Sequence, residues 1–178
     1  MIFFLNGNSY PNCDDWLKKV FDNYEDNSII GTSASNLSLL STLRLKKIYK
    51  IISYFFKLIK YRKIFNKFPN PHIRTNGFLI KSDDFINFMK NKNLCNKEDA
   101  WSIESGKLGL TNSFKSKGYH IYVVNSDGKK FEEVDWKLSL TFNYLSQNKF
   151  IISDNQIRKY LSINDDEKKL FQFKTWGY

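Results

Sequence analysis

The sequence predicts an α/β domain in which helices flank a mixed sheet. Residues 1–35 read as strand, helix and strand, the unit from which a mostly parallel sheet is built. Residues 97–124 read as helix, turn, short helix and a strand rich in aromatic and β-branched residues. Composition agrees. Of 178 residues, 42% are hydrophobic and 17% aromatic, which excludes disorder for most of the chain and suffices for one sizeable core over a single domain, 1–178.

Met1 to Leu5 form an apolar strand, too short and too poor in flanking cations for a signal peptide. Asn6-Gly7-Asn8-Ser9 is turn chemistry, and Asp14-Asp15 open a helix with Trp16, Leu17, Val20 and Phe21 on its apolar face. Ser28 to Gly31 is a short buried strand running into small residues. Pro69 and Pro71 bias their predecessors toward extended backbone, and residues 73–80 then read as a strand carrying Arg74 and Asn76. Ser82 or Asp83 caps the next helix, which holds Phe85, Ile86, Phe88 and Met89. Glu98 and Asp99 suit a first helical turn, where backbone N–H groups lack partners and the dipole favours negative charge. Gly106 breaks that helix, residues 111–117 make a short second one, and Gly118 takes the left-handed position at its end. After the strand at 119–124 comes a turn at 125–129. Residues 134–144 are helical or irregular, and Ser153-Asp154 opens a final helix that Asp165-Asp166-Glu167 restarts.

The net charge of +10 favours an anionic partner such as nucleic acid, acidic lipid or a sugar nucleotide. Residues 43–65 hold eight Lys or Arg and no acid. There Leu45, Ile48, Ile52, Phe55 and Ile59 fall on one helical face, with Lys46, Lys47, Lys50, Lys57 and Lys60 mostly away from it. These cations interrupt every apolar run well short of the roughly 20 residues that a membrane span needs. Two readings stand level: a helix lying on an anionic membrane surface, or one packed on the domain with its basic face solvated. No nucleic-acid motif appears and the charge is concentrated in this helix, so a nucleic-acid partner ranks lowest. Cys13 and Cys95 lie far apart without C-x-x-C spacing. They suggest neither zinc nor a disulfide framework, and fit a reducing cytosol.

The order of Phe3-Phe4-Leu5-Asn6-Gly7-Asn8, Trp16-Leu17, Ile29-Ile30-Gly31, Asn76-Gly77-Phe78-Leu79-Ile80, Glu98-Asp99 and Gly118-Tyr119-His120-Ile121 resembles the distal, acceptor-side half of a GT-A-type, family-2-like glycosyltransferase of bacterial surface-polysaccharide synthesis. The blocks Pro69-Asn70-Pro71-His72-Ile73-Arg74-Thr75-Asn76 and Trp101-Ser102-Ile103-Glu104-Ser105-Gly106 resemble a subgroup of polysaccharide-locus transferases more closely still. The resemblance covers roughly residues 3 to 160. It implies a partial GT-A-like, Rossmann-like sheet whose N-terminal nucleotide-binding half is missing, hence a truncated or split enzyme whose other half a separate chain could supply. The implied reaction carries a sugar from a nucleotide-sugar to a glycan or lipid-linked acceptor in polysaccharide or lipopolysaccharide synthesis, in the cytoplasm or peripherally on the inner face of the plasma membrane.

Such a transfer needs a base for the acceptor proton, and a divalent cation (Mg²⁺ or Mn²⁺) or equivalent charge for the departing diphosphate. The resemblance implies Asp99 as first choice for the base, with Glu104 as competitor, and Arg74, Asn76, Glu98 and Trp101 as substrate-binding residues. Asn6 and Asn8 stand where the family's D-x-D motif has carboxylates, and two amides make a poor site for a hard cation. Other duties compete for the same residues. Glu98 and Asp99 can simply cap a helix, and Arg74, able to clamp a phosphate or carboxylate bidentately, can equally form an ordinary salt bridge. The alternative at the level of function is a non-catalytic protein that recognises glycan or lipid carrier through an acceptor groove.

Overall fold

The computed structural model describes residues 1–45 and 47–177. Strand β1 (Ile2–Leu5) leads through β2 (Tyr10–Pro11) to helix α1 (Trp16–Phe21), then β3 (Ser28–Gly31) and β4 (Ala34–Ser35). A 3₁₀ turn at Ile48–Lys50 runs into α2 (Ile51–Ile64). Next come β5 (His72–Ile73), β6 (Gly77–Ile80), α3 (Ser82–Met89), α4 (Lys97–Ser105), α5 (Leu110–Lys115) and β7 (His120–Val124). The described chain closes with β8 (Lys130–Phe131), a 3₁₀ segment at Glu133–Ser139, β9 (Ile152–Ser153), α6 (Asn155–Ser162) and α7 (Asp165–Trp176).

The main sheet has five strands in the order β1-β6-β3-β7-β8. Only β3 and β7 pair in parallel; the other three pairings are antiparallel. The expected strand-helix-strand unit exists, since β1 and β3 both run against β6 and so point the same way. They are not neighbours, because β6 lies between them and runs against both, and the sheet is mixed as expected. β1 has β6 as its only sheet partner among the described residues, which leaves its outer side open.

Side chains along the central strands alternate between two cores, as a period of two requires. Ile29, Phe78, Ile80, Ile121 and Val123 pack on one face with Phe88 of α3 and Leu110 and Phe114 of α5. Ile30, Leu79, Tyr122 and Val124 pack on the other with Val20 of α1 and Ile151-Ile152.

Several local expectations change. The strand expected over 73–80 is two strands: β5 pairs with β4, while β6 joins the main sheet. Two glycines permit this crossing. A Cβ on Gly31 would lie 2.9 Å from Ile73 Cγ2, and one on Gly77 2.9 Å from Thr32 Oγ1. Lys81, not Ser82 or Asp83, precedes α3, with no side-chain cap, and Leu17 on α1 is exposed. Gly118 does take a left-handed conformation, φ 81°. In the 43–65 region Lys46 lies outside the described residues. Helix α2 buries Tyr61 while Leu45, Ile48, Ile52, Phe55 and Ile59 stay exposed, so the expected apolar face is not the one that packs on the domain.

Candidate active site

The site lies just past the carboxyl end of β3, where open α/β sheets bind ligands. Beyond Gly31 the chain continues into β4, whose Ser35 pairs with His72 and Ala34 with Ile73. The Arg74 amide then donates to the Ser33 carbonyl at 2.9 Å. In that extended stretch Ile73 turns into the core, while His72 and Arg74 turn to the opposite side and line a cavity of about 290 Å³. Helix α4 supplies another wall: Trp101, Glu104 and Ser105 sit at i, i+3 and i+4, one face of a helix. Phe142, Gln156 and Lys174 complete it from the C-terminal third of the chain.

Glu104, His72, Arg74 and Asp154 each have a defined hold. Glu104 Oε2 accepts from the Thr75 amide at 3.1 Å and from the Thr75 hydroxyl, and Oε1 lies 4.0 Å from His72 Nε2. The His72 Nδ1–H donates to the Asn70 carbonyl at 2.7 Å, a contact that selects this tautomer and leaves Nε2 as a lone pair beside Glu104. Burial lowers the His72 pKa and keeps the ring neutral; the Glu104 charge opposes that shift without overcoming it. Arg74 Nη2 donates to Asp154 Oδ2 at 2.6 Å, and its guanidinium lies 3.8 Å from the Phe142 ring centroid. Its Nη1 is buried with no hydrogen-bond partner among the described residues. Asp154 serves twice, since its Oδ1 also caps α6 by accepting from the Gln156 and Ile157 amides.

Of the sequence-predicted residues, the fold brings Arg74, Trp101 and Glu104 together. The others lie elsewhere. Asp99 Oδ2 accepts from the Cys95 and Asn96 amides at 3.0 and 3.1 Å and forms a capping box with Asn96. Glu98 faces α2, accepting from Lys60 at 2.5 Å and from the Tyr61 hydroxyl at 3.1 Å. Asn76 accepts from the Ser33 hydroxyl at 2.8 Å, and its buried Nδ2 has no partner among the described residues. Asn6 Oδ1 accepts from the Asn8 amide and the Ser9 hydroxyl, closing a turn after β1. That turn leaves the same end of the sheet at which residues 74–76 enter β6, since Leu5 pairs with Gly77. Two neutral amide oxygens, that of Asn6 already engaged, do not fit Mg²⁺ or Mn²⁺, and no cluster of three His, Cys, Asp or Glu suited to a metal exists among the described residues.

Sequence reasoning missed His72, Phe142, Asp154 and Lys174 as site residues. His72 had a usable signal, because an extended His-Ile-Arg places both polar side chains on one side. Asp154 read only as a helix cap, and Lys174 lay in a tail whose packing the pattern did not place. Comparison of the chain with family models, with curated proteins and with solved structures finds no match.

Proposed function

We propose that this chain is the acceptor-binding part of a GT-A-like sugar transferase, with Glu104 as the base. The observation that carries this reading is the Glu104 carboxylate in the cavity wall, oriented by Thr75 through one oxygen and facing His72 with the other. In the proposed step an acceptor hydroxyl attacks the anomeric carbon of a nucleotide-sugar. The new C–O bond forms as the bond to the diphosphate breaks, and the hydroxyl proton passes to Glu104. His72, neutral with its lone pair beside Oε1, leaves that oxygen free to take the proton. The aromatic face of Trp101 suits the apolar side of a sugar ring, and a volume of about 290 Å³, at the small end of ligand cavities, suits one sugar unit.

The donor would enter from strands added at the open side of β1, from polypeptide beyond these residues or from a second chain. By itself the chain then binds acceptor sugars and only weakly binds nucleotide-sugars. NMR titration with methyl glycosides and with sugar nucleotides tests this. Glycosides should shift resonances of His72, Trp101 and Phe142, and sugar nucleotides should shift few. Tight sugar-nucleotide binding by this chain alone, or glycoside shifts remote from the cavity, would overturn the reading. A glycan-binding protein without catalysis uses the same cavity, and is distinguished by transfer activity that never appears with a donor half present; transfer that survives Glu104→Gln would instead move the base to another residue.

A further inference from the structure

The apolar side of α2 faces outward. Ile48, Ile52 and Phe56 are 85%, 71% and 71% exposed, and Ile51, Phe55 and Ile59 lie exposed beside them. Five of these line one open depression with no charged side chain in it. Tyr61 shows why the orientation is fixed. It follows Ile52 by nine residues, two and a half helical turns, and is buried against the body, with its hydroxyl on Glu98. The apolar stripe therefore points directly away from the domain. Single apolar side chains on a surface need no explanation, but a contiguous set of six does.

The charge around the stripe selects its occupant. Arg44, Lys47, Lys50, Lys57, Lys60, Arg62 and Lys63 lie on the same segment, Lys57 and Lys60 toward Glu98 on its inward side, and residues 43–65 contain no acid. Arg44, Lys47, Lys50 and Lys57 also line a trough of about 570 Å³ alongside the helix. No helix among the described residues is long and apolar enough to cross a membrane. We propose that residues 48–60 dock flat on an anionic lipid surface, with the six apolar side chains at the level of the upper acyl chains and the flanking cations against lipid phosphates. This rests on the exposed helix and is independent of the reading of the Glu104 cavity.

Flotation of the full chain with phosphatidylcholine vesicles, with and without phosphatidylglycerol, tests it. Binding should be at least about tenfold stronger to the anionic vesicles and should weaken in high salt, which screens the charge contribution. Ile52→Ser with Phe56→Ser should weaken binding on the order of tenfold or more, and Lys47→Gln with Lys50→Gln should reduce the preference for anionic lipid severalfold or more. These side chains are exposed, so circular dichroism should show both variants folded. Equal binding to neutral and anionic vesicles, binding that the apolar variant retains, or no binding to any vesicle would overturn the proposal. A dimer in light scattering that the apolar variant dissolves, without vesicle binding, would make the stripe a protein contact instead.

Discussion

At Glu104 one carboxylate oxygen is committed to Thr75 and the other, 4.0 Å from His72 Nε2, accepts no hydrogen bond among the described residues, whereas the Asp99 carboxylate is engaged by two backbone amides. In an assembled transferase Glu104→Gln should therefore lower turnover about 10²-fold or more, as loss of a general base does. Asp99→Ala should leave turnover near that of the parent and cost about 1 kcal/mol of stability, the worth of a helix cap, in urea unfolding. Both acids were visible in the sequence. Their ranking was not, because five helical residues separate them and only packing shows which side meets a cavity. His72 adds a pH dependence. Burial places its folded pKa below the ordinary value of 6.5, so as pH falls the unfolded chain takes up the proton first. Its contribution to stability is complete above about 6.5 and is lost as pH falls below that. His72→Gln should flatten the fall of the urea midpoint below about pH 6.5; an unchanged profile would assign the pH dependence to other groups.

Tyr61 is the one buried residue of α2 among the described residues. The inward side of the helix rests there and on Glu98 of α4, which also accepts from Lys60, and its last turn is held by Lys107, whose amide and Nζ donate to the Ile64 and Arg62 carbonyls. Burial, with the Glu98 charge adding to it, pushes the Tyr61 hydroxyl up to about 12. The Lys60 hydrogen bond lowers the Glu98 pKa, so the stability this link contributes is complete above the ordinary carboxylate range and is lost as pH falls through the lowered value in the folded chain. Glu98→Ala should speed amide exchange over residues 51–64 while the amides of β3, β6 and β7 stay protected; equal protection in α2 would show that other contacts hold it. The hydrophobic spacing located this helix and most of its apolar stripe, though α2 begins only at Ile51 after the 3₁₀ turn and Leu45 lies ahead of both. Periodicity gives a stripe but not the direction in which it points, and here a tyrosine and a glutamate decide that.

Across the whole molecule, the parts that depend on distant partners were the least legible. Strand patterns marked β1, β3 and β7, yet nothing local in β6 says that it will insert between β1 and β3. Arg74 and Asp154 are 80 residues apart and meet in a buried ion pair. Removing one partner of such a pair leaves the other charge uncompensated, so Arg74→Ala should cost roughly 3–5 kcal/mol in urea unfolding, with part of the loss traceable to fraying of α6. The open side of β1 bears on how the purified protein behaves in concentrated solution. Ile2-Phe3-Phe4-Leu5 carries no charge and no proline, and Ile2 and Leu5 are exposed. An unguarded edge of that kind can template further copies of itself into cross-β fibrils. Thioflavin-positive fibrils should grow from concentrated chain after a lag, and Ile2→Lys with Leu5→Lys, which set charges on that edge without entering the core, should lengthen the lag. An unaltered lag would place the fibril seed elsewhere in the chain.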